Sequence, residues 1–267
     1  STMVKNLDTE GLKSIANKYD LFFIDLWGVV HNGIQLHSNS IKVLHEIHKL
    51  KKEFVLLTNA PRPNSDVINF LTKMGMDKNF SSKVYTSGEA ALEYLFVNYG
   101  DKKFFHLGPP RDFGLFNKFK NNKSESLNDA EYILCTGLFE NYETDLSYYK
   151  KLLEKKINKI MICTNPDLIV DRGKKREFCA GSVAKVFEEL GGKVKYFGKP
   201  YPLVYELSIN NKNKSVLCIG DNLNTDIKGA NLQNFNSLFI LNGIHKKENK
   251  NELNKLFEKY QVNVNYI

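Results

Sequence analysis

The sequence predicts an α/β fold: a doubly wound, mainly parallel sheet with a smaller α/β unit inserted into it. Three observations carry that prediction. Short apolar runs alternate with helix-period segments almost throughout the chain, as in sheets built from crossover connections. Several of the runs end in a polar residue at a turn, where an open α/β sheet places its ligand crevice. The length, 267 residues, is enough for a full core without disulfide or metal staples.

Strands are expected at 21–25, 53–58, 84–86, 215–220 and 237–241. A helix fits between the first two, with Ser40 as its N-cap and Ile41, Leu44, Ile47 and His48 on one face. A second helix covers 64–74 and stops before Gly75. The middle of the chain repeats the alternation as a separate unit. Its strands are expected at 103–107, 131–136, 159–163 and 193–197, with helices at 145–155 and 179–190. The run 121–128 (NNKSESLN) reads as a polar loop, and 246–254 as the start of a solvated helix. In the tail, Val262, Val264 and Tyr266 alternate like a short final strand. The core is therefore placed at 1–88 and 197–267, and the inserted unit at 89–196.

A hydrophobic fraction of 42% and a charged fraction of 25% are those of a globular protein. No apolar run approaches the ~20 residues needed to cross a bilayer. The polar stretch Ser1–Lys13 is read as neither signal peptide nor anchor. Four cysteines, at 135, 163, 179 and 218, lack any C-x-x-C spacing, which argues against a zinc site. Cys135, Cys163 and Cys218 lie in apolar runs and read as reduced core thiols, which points to a cytoplasmic setting. The net charge of +8 favours anionic partners. The excess is lysine scattered along the chain, with no basic stripe interleaved with aromatics. The charge is therefore read as a solvated, lysine- and asparagine-rich surface, and neither nucleic acid nor membrane is the expected partner.

The chemistry-bearing residues lie at the ends of the predicted strands. Asp25 follows Phe-Phe-Ile, Thr58 and Asn59 follow Val-Leu-Leu, and Asp221 and Asp226 stand in GDNLNTD after Val-Leu-Cys-Ile. Gly198-Lys199-Pro200 precedes the last of these by one short helix. Any one of them alone is a common cap or turn residue. Together, in this order, they resemble the haloacid dehalogenase-like hydrolase superfamily over essentially the whole chain. The insert, which carries Asn165-Pro166-Asp167, resembles the α/β cap of subclass IIA, the NagD-like phosphatases.

The resemblance implies a Rossmann-like core with an inserted α/β cap, and a Mg²⁺-dependent phosphatase acting on a small phosphorylated metabolite, a sugar, aryl or acyl phosphate. Asp25 would be the nucleophile and pass through an aspartyl-phosphate. Asp25, Asp221 and the backbone carbonyl of Trp27 would hold Mg²⁺, with Asp226 as an outer or occasional direct partner. Thr58, the Asn59 N–H and Lys199 would hold the remaining phosphate oxygens. In the cap, Asp167 would face the substrate. Arg172 would grip a second anionic group or pair with Asp171, and Arg62 would reach a substrate anion or make a loop contact. A homodimer through the cap is the assembly the subclass suggests.

One departure bears on the chemistry. The family places an acid/base Asp two residues after the nucleophile, and here that position is Trp27. Indole has no titratable group near neutral pH, and losing such a catalyst typically costs ~10²–10⁴ in rate. Three readings follow. The substrate carries a leaving group that needs no acid, or His31 or Asp167 supplies the proton, or the protein binds phosphorylated ligands with little turnover. Dehalogenases also have an aromatic residue there, but they lack the GDxxxxD pattern kept by Asp221 and Asp226, so carbon–halogen cleavage ranks below phosphoryl transfer.

Overall fold

The computed structural model describes residues 4–172, 174–241 and 248–267. In chain order its strands are β1 (Leu21–Ile24), β2 (Glu53–Thr58), β3 (Val84–Thr86), β4 (Phe104–Leu107), β5 (Tyr132–Cys135) and β6 (Ile160–Cys163). They continue with β7 (Ile169–Arg172), β8 (Lys175–Phe178), β9 (Lys193–Tyr196), β10 (Val216–Gly220) and β11 (Asn236–Phe239). The chain folds as two units, one of Ser1–Thr58, Ile68–Tyr85 and Lys199–Ile267, the other of Asn59–Val67 and Thr86–Gly198.

The first unit is built on the sheet β11-β10-β1-β2-β3. β1 pairs in parallel with β2 on one side and β10 on the other. Strand order therefore reverses beside β1, the topological switch point of a doubly wound sheet. β1 and β10 are apolar and buried along their whole length, the composition of strands covered on both faces. Helix Ser38–Lys49 buries Leu44 and Ile47. Its N-cap is His37 rather than the expected Ser40, whose hydroxyl donates to the Val29 carbonyl at 2.6 Å. Helix Lys250–Tyr260 is capped by Asn249, which accepts from the Glu252 N–H at 2.9 Å. Lys246 and Lys247, the start of the expected solvated helix, lie outside the described residues. The tail forms single bridges, Tyr266 to Leu238 and Lys5, in place of a strand. Val262 and Val264 cluster with Phe239, Leu253 and Phe257.

The second unit has the parallel sheet β4-β5-β6-β9. Ile133, Cys135, Met161 and Cys163 pack against Tyr149 and Leu153 of helix Leu146–Leu153 and Val183, Ala184 and Phe187 of helix Ala180–Glu189. The antiparallel hairpin β7–β8 and the helix Ser87–Asn98 complete it. The segment 59–67, expected in the core, belongs to this unit. Its backbone meets the start of helix Ser87–Asn98: the Gly88 N–H donates to Ala60 O at 3.0 Å, and the Thr86 hydroxyl to Arg62 O at 2.5 Å. All four cysteines are buried free thiols, Cys218 in the first unit and Cys135, Cys163 and Cys179 in the second. Among the described residues no helix is long and apolar enough to cross a membrane.

Candidate active site

Asp25 is the first residue past β1, and its N–H donates to Ile219 O at 2.9 Å, which pins it to β10 across the switch point. Its carboxylate is 14% exposed. Lys199 is buried, and its ammonium donates to Asp25 Oδ1 at 2.9 Å, Asp226 Oδ1 at 2.7 Å and Leu57 O at 2.7 Å. One lysine thus ties together the ends of β1 and β2 and the turn after β10. Asp226 lies on a π-helical turn, Leu223–Ile227, capped by Asn222, whose side chain accepts from the Asn224 and Thr225 N–H groups. The Asn222 N–H donates in turn to Asp226 Oδ2 at 3.2 Å. The loop after Asp25 comes up against Asp221. Gly28 has φ 87°, and a Cβ there would sit 2.2 Å from Asp221 Oδ2, so the turn needs glycine on both counts.

Ligand oxygens of Asp25, Asp221 and Asp226 lie within 4.8 Å of one another. Burial, helped by the charge of Asp25, pushes the Asp226 carboxyl up to about 7. Burial and the charge of Asp226 push Asp221 up to about 6. For Lys199, burial alone would lower the pKa, but Asp226 and Asp25 outweigh it and hold the ammonium above the ordinary lysine value. When all are ionised, three carboxylates against one ammonium leave two negative charges in a largely buried cluster. A hard divalent cation with oxygen ligands matches that donor set. The residues therefore fit Mg²⁺.

Thr58 leaves the same end of the sheet as Asp25, because the β1–β2 register pairs Ile24 with Leu56. Trp27 is 42% exposed. His31 departs from the expectation of a loop histidine titrating near neutral pH. It is 3% exposed, and its Nδ1 accepts from the Gly33 N–H at 2.9 Å. Burial, with the nearby His37, lowers its pKa to about 4, so it is uncharged and weakly basic at neutral pH.

In the second unit, Asn59 Nδ2 donates to Asp167 Oδ1 at 3.0 Å. A Cβ on Gly198 would come within 2.7 Å of both Asn59 Oδ1 and Pro166 Cδ. The Asn165-Pro166-Asp167 loop is thus packed against Asn59 and Gly198, the residues that directly adjoin Thr58 and Lys199 in sequence. Arg62 has a protein partner, the buried Asp112, with Nε 3.7 Å from Oδ1. Asp171 pairs across the hairpin with Arg176 at 2.9 Å, and the Arg172 side chain lies outside the described part.

The sequence did not point to Gly28, Asn222 or Tyr205. Tyr205 lines a cavity of about 10 Å³ together with Asp25, Lys199 and Asp226. The positive φ and the capping role left no trace beyond residue type, although Asn before a short helix is a recognisable cap signal.

Two family models match the chain. Residues 22–119 match a haloacid dehalogenase-like hydrolase model and residues 196–262 a HAD-hydrolase-like one. A solved haloacid dehalogenase-like hydrolase from Brucella suis is 30% identical, with a TM-score of 0.79 over 89% of this chain and 94% of that one. Ribonucleotide monophosphatase NagD of Escherichia coli is 25% identical over 80% of this chain and 86% of its own. A glycerol phosphate phosphatase from Mycobacterium tuberculosis, solved in complex with magnesium, shares 23% identity and a TM-score of 0.67 over 86% of this chain and 70% of that one. With the motif residues gathered at one switch point and a relative at this identity and coverage, the chain belongs to the haloacid dehalogenase-like hydrolases, in the NagD-like subclass IIA.

Proposed function

We propose that the protein is a Mg²⁺-dependent phosphatase acting on a small phosphate monoester through phosphorylated Asp25. The observation that carries this reading is the buried cluster in which Lys199 holds Asp25 and Asp226 while a carboxylate oxygen of Asp221 lies within 4.8 Å of oxygens of both. Asp25, Asp221 and the Trp27 carbonyl would hold the metal, with Asp226 in support. Bound there, Mg²⁺ offsets the negative charge of carboxylates and phosphoryl oxygens.

An Asp25 oxygen forms a bond to phosphorus, the ester P–O bond breaks, and the leaving oxygen departs with the electron pair. Water then attacks phosphorus, the bond to Asp25 breaks to restore its carboxylate, and both water hydrogens leave on dihydrogen phosphate. Lys199 keeps Asp25 ionised and oriented. Thr58 and the Asn59 N–H bind phosphoryl oxygens, and their donors are worth most where charge builds in the transition state. Asp167, bonded to Asn59, and Arg62, held by Asp112, are the candidates within the second unit for contacts to the substrate.

Trp27 and the uncharged His31 favour a second reading, a binder of phosphorylated ligands with weak turnover. Mixing the protein with Mg²⁺ and 4-nitrophenyl phosphate, whose leaving group needs no acid, separates the two. Turnover that falls at least ~10³-fold in Asp25→Asn supports the phosphatase. No turnover by the wild type, with activity gained in Trp27→Asp, supports the binder.

A further inference from the structure

We infer that Tyr205 is a positioning residue of the Asp25–Lys199–Asp226 cluster: its hydroxyl donates to a single water seated behind the cluster, and that water fixes the two carboxylates. The part this plays in turnover rests on the phosphatase reading above, and the water site itself does not.

The first observation is a buried hydroxyl. Tyr205, on helix Pro202–Ser208, is wholly buried, and its Oη makes no hydrogen bond to any described residue. Buried hydroxyls are nearly always paired, either with protein or with ordered water. The ring is fixed on several sides. Phe23 meets it edge-on at 5.3 Å and 82°, and Phe235 at 6.0 Å and 75°. Helix Lys228–Leu232 closes over the hydroxyl itself: a Cβ on Gly229 would lie 2.0 Å from Oη and 3.0 Å from Cζ. The hydroxyl is therefore held where it is, and its partner must come to it.

The second observation is the space beside it. Tyr205, Asp25, Lys199 and Asp226 share the wall of the cavity of about 10 Å³, and the other side chains in that wall are apolar apart from the Cys218 thiol. The volume is that of about one water. Cavities that stay dry are apolar, whereas a bound water takes about two to four polar partners. Here two carboxylates and a phenol surround one water-sized space.

The third observation sets the direction of the bonds. Lys199 donates its three protons to Asp25 Oδ1, Asp226 Oδ1 and Leu57 O, so none is left for the cavity. Ionised carboxylates only accept, and a thiol is a weak donor. Among these side chains Tyr205 is thus the strong donor that remains. It donates to the water oxygen, and the two water hydrogens go to carboxylate oxygens of Asp25 and Asp226. The carboxylates that Lys199 ties together are then tied a second time, from the side of Tyr205. A nucleophile held in its attacking orientation reacts faster without binding its substrate more tightly.

The test combines solvent density with a one-atom deletion. A crystal structure that resolves ordered solvent should show one water at ~2.6–3.2 Å from Tyr205 Oη and from a carboxylate oxygen of Asp25 or Asp226. Tyr205→Phe removes the oxygen and keeps the ring. Deleting a buried hydroxyl that pairs with nothing leaves Tm unchanged or raises it, because such a group is costly to bury. With the water in place, Tm should instead fall by about 2–4 °C. With saturating Mg²⁺ and 4-nitrophenyl phosphate, kcat should fall about tenfold while KM changes less than about twofold. A loss of packing alone lowers Tm without that split. A cavity without density, together with an unchanged or raised Tm in Tyr205→Phe, overturns the inference, and Asp25-dependent turnover then leaves the phosphatase reading standing. Density for the water with kcat unchanged in the variant overturns the positioning role. If the wild type hydrolyses no monoester, the phosphatase reading falls, and the density and the sign of the Tm shift still decide the water site.

Discussion

Lys199 is the residue whose removal should do most damage. Its three protons are donated to two carboxylates and the Leu57 carbonyl. Deleting one partner of a buried ionic cluster typically costs ~3–5 kcal/mol, because the remaining charges stay buried and unpaired. Lys199→Met should lower stability by about that much in urea unfolding. Asp226→Asn in the same background should recover part of the loss by removing one of the stranded charges. The carboxyls make a separate prediction. Asp221 and Asp226, raised from 3.8 to about 6 and about 7, bind protons more tightly in the folded than in the unfolded chain. Between pH 4 and 7 they therefore lower metal-free stability as pH rises. His31, lowered from 6.5 to about 4, acts in the opposite sense over most of that window, between about pH 4 and 6.5. The metal response separates the two effects, because Mg²⁺ needs the carboxylates ionised and does not involve the histidine. The rise in Tm on adding saturating Mg²⁺ should be clearly larger at pH 8 than at pH 5.5. An increment independent of pH would exclude these carboxylates as its source.

At the scale of elements, the short turn Leu223–Ile227 matters beyond its length because it orients Asp226. Asn222→Ala removes the acceptor for two N–H groups and should cost about 1 kcal/mol. Since the Asn222 backbone also bonds Asp226, the Mg²⁺-induced Tm shift should shrink as well, which a cap remote from the site would not cause. The strands flanking the site were legible because they are continuous apolar runs closed by polar residues. Asp25, Thr58 and Asp221 are marked by where such runs stop. Helix Ser87–Asn98 was not legible: it buries Ser87, Gly88, Ala90 and Ala91 as well as Leu92 and Leu95, so it shows no single apolar stripe. The β7–β8 hairpin was missed because Asp171, Lys175 and Arg176 look like loop, and its pairing rests on backbone bonds and the Asp171–Arg176 ion pair. The burial of His31 followed from packing against Phe70, a meeting of distant segments that no local pattern carries.

The whole molecule consists of two units, each with its own parallel sheet and apolar cluster, and the chain passes between them at Thr58–Asn59, Val67–Ile68, Tyr85–Thr86 and Gly198–Lys199. Two of those passages directly adjoin residues proposed to handle phosphate, so sequence changes there act on both units at once. The carboxylates proposed to hold the metal, by contrast, all belong to the first unit. Mg²⁺ should thus protect that unit most directly. The distribution of the buried thiols makes this measurable without a mutation. A thiol reagent added to the native protein adds one mass tag when the first unit opens, at Cys218, and up to three when the second does, at Cys135, Cys163 and Cys179. Intact mass spectrometry over time would then read two independent clocks from one sample, and the metal should slow the one-tag clock more than the three-tag one.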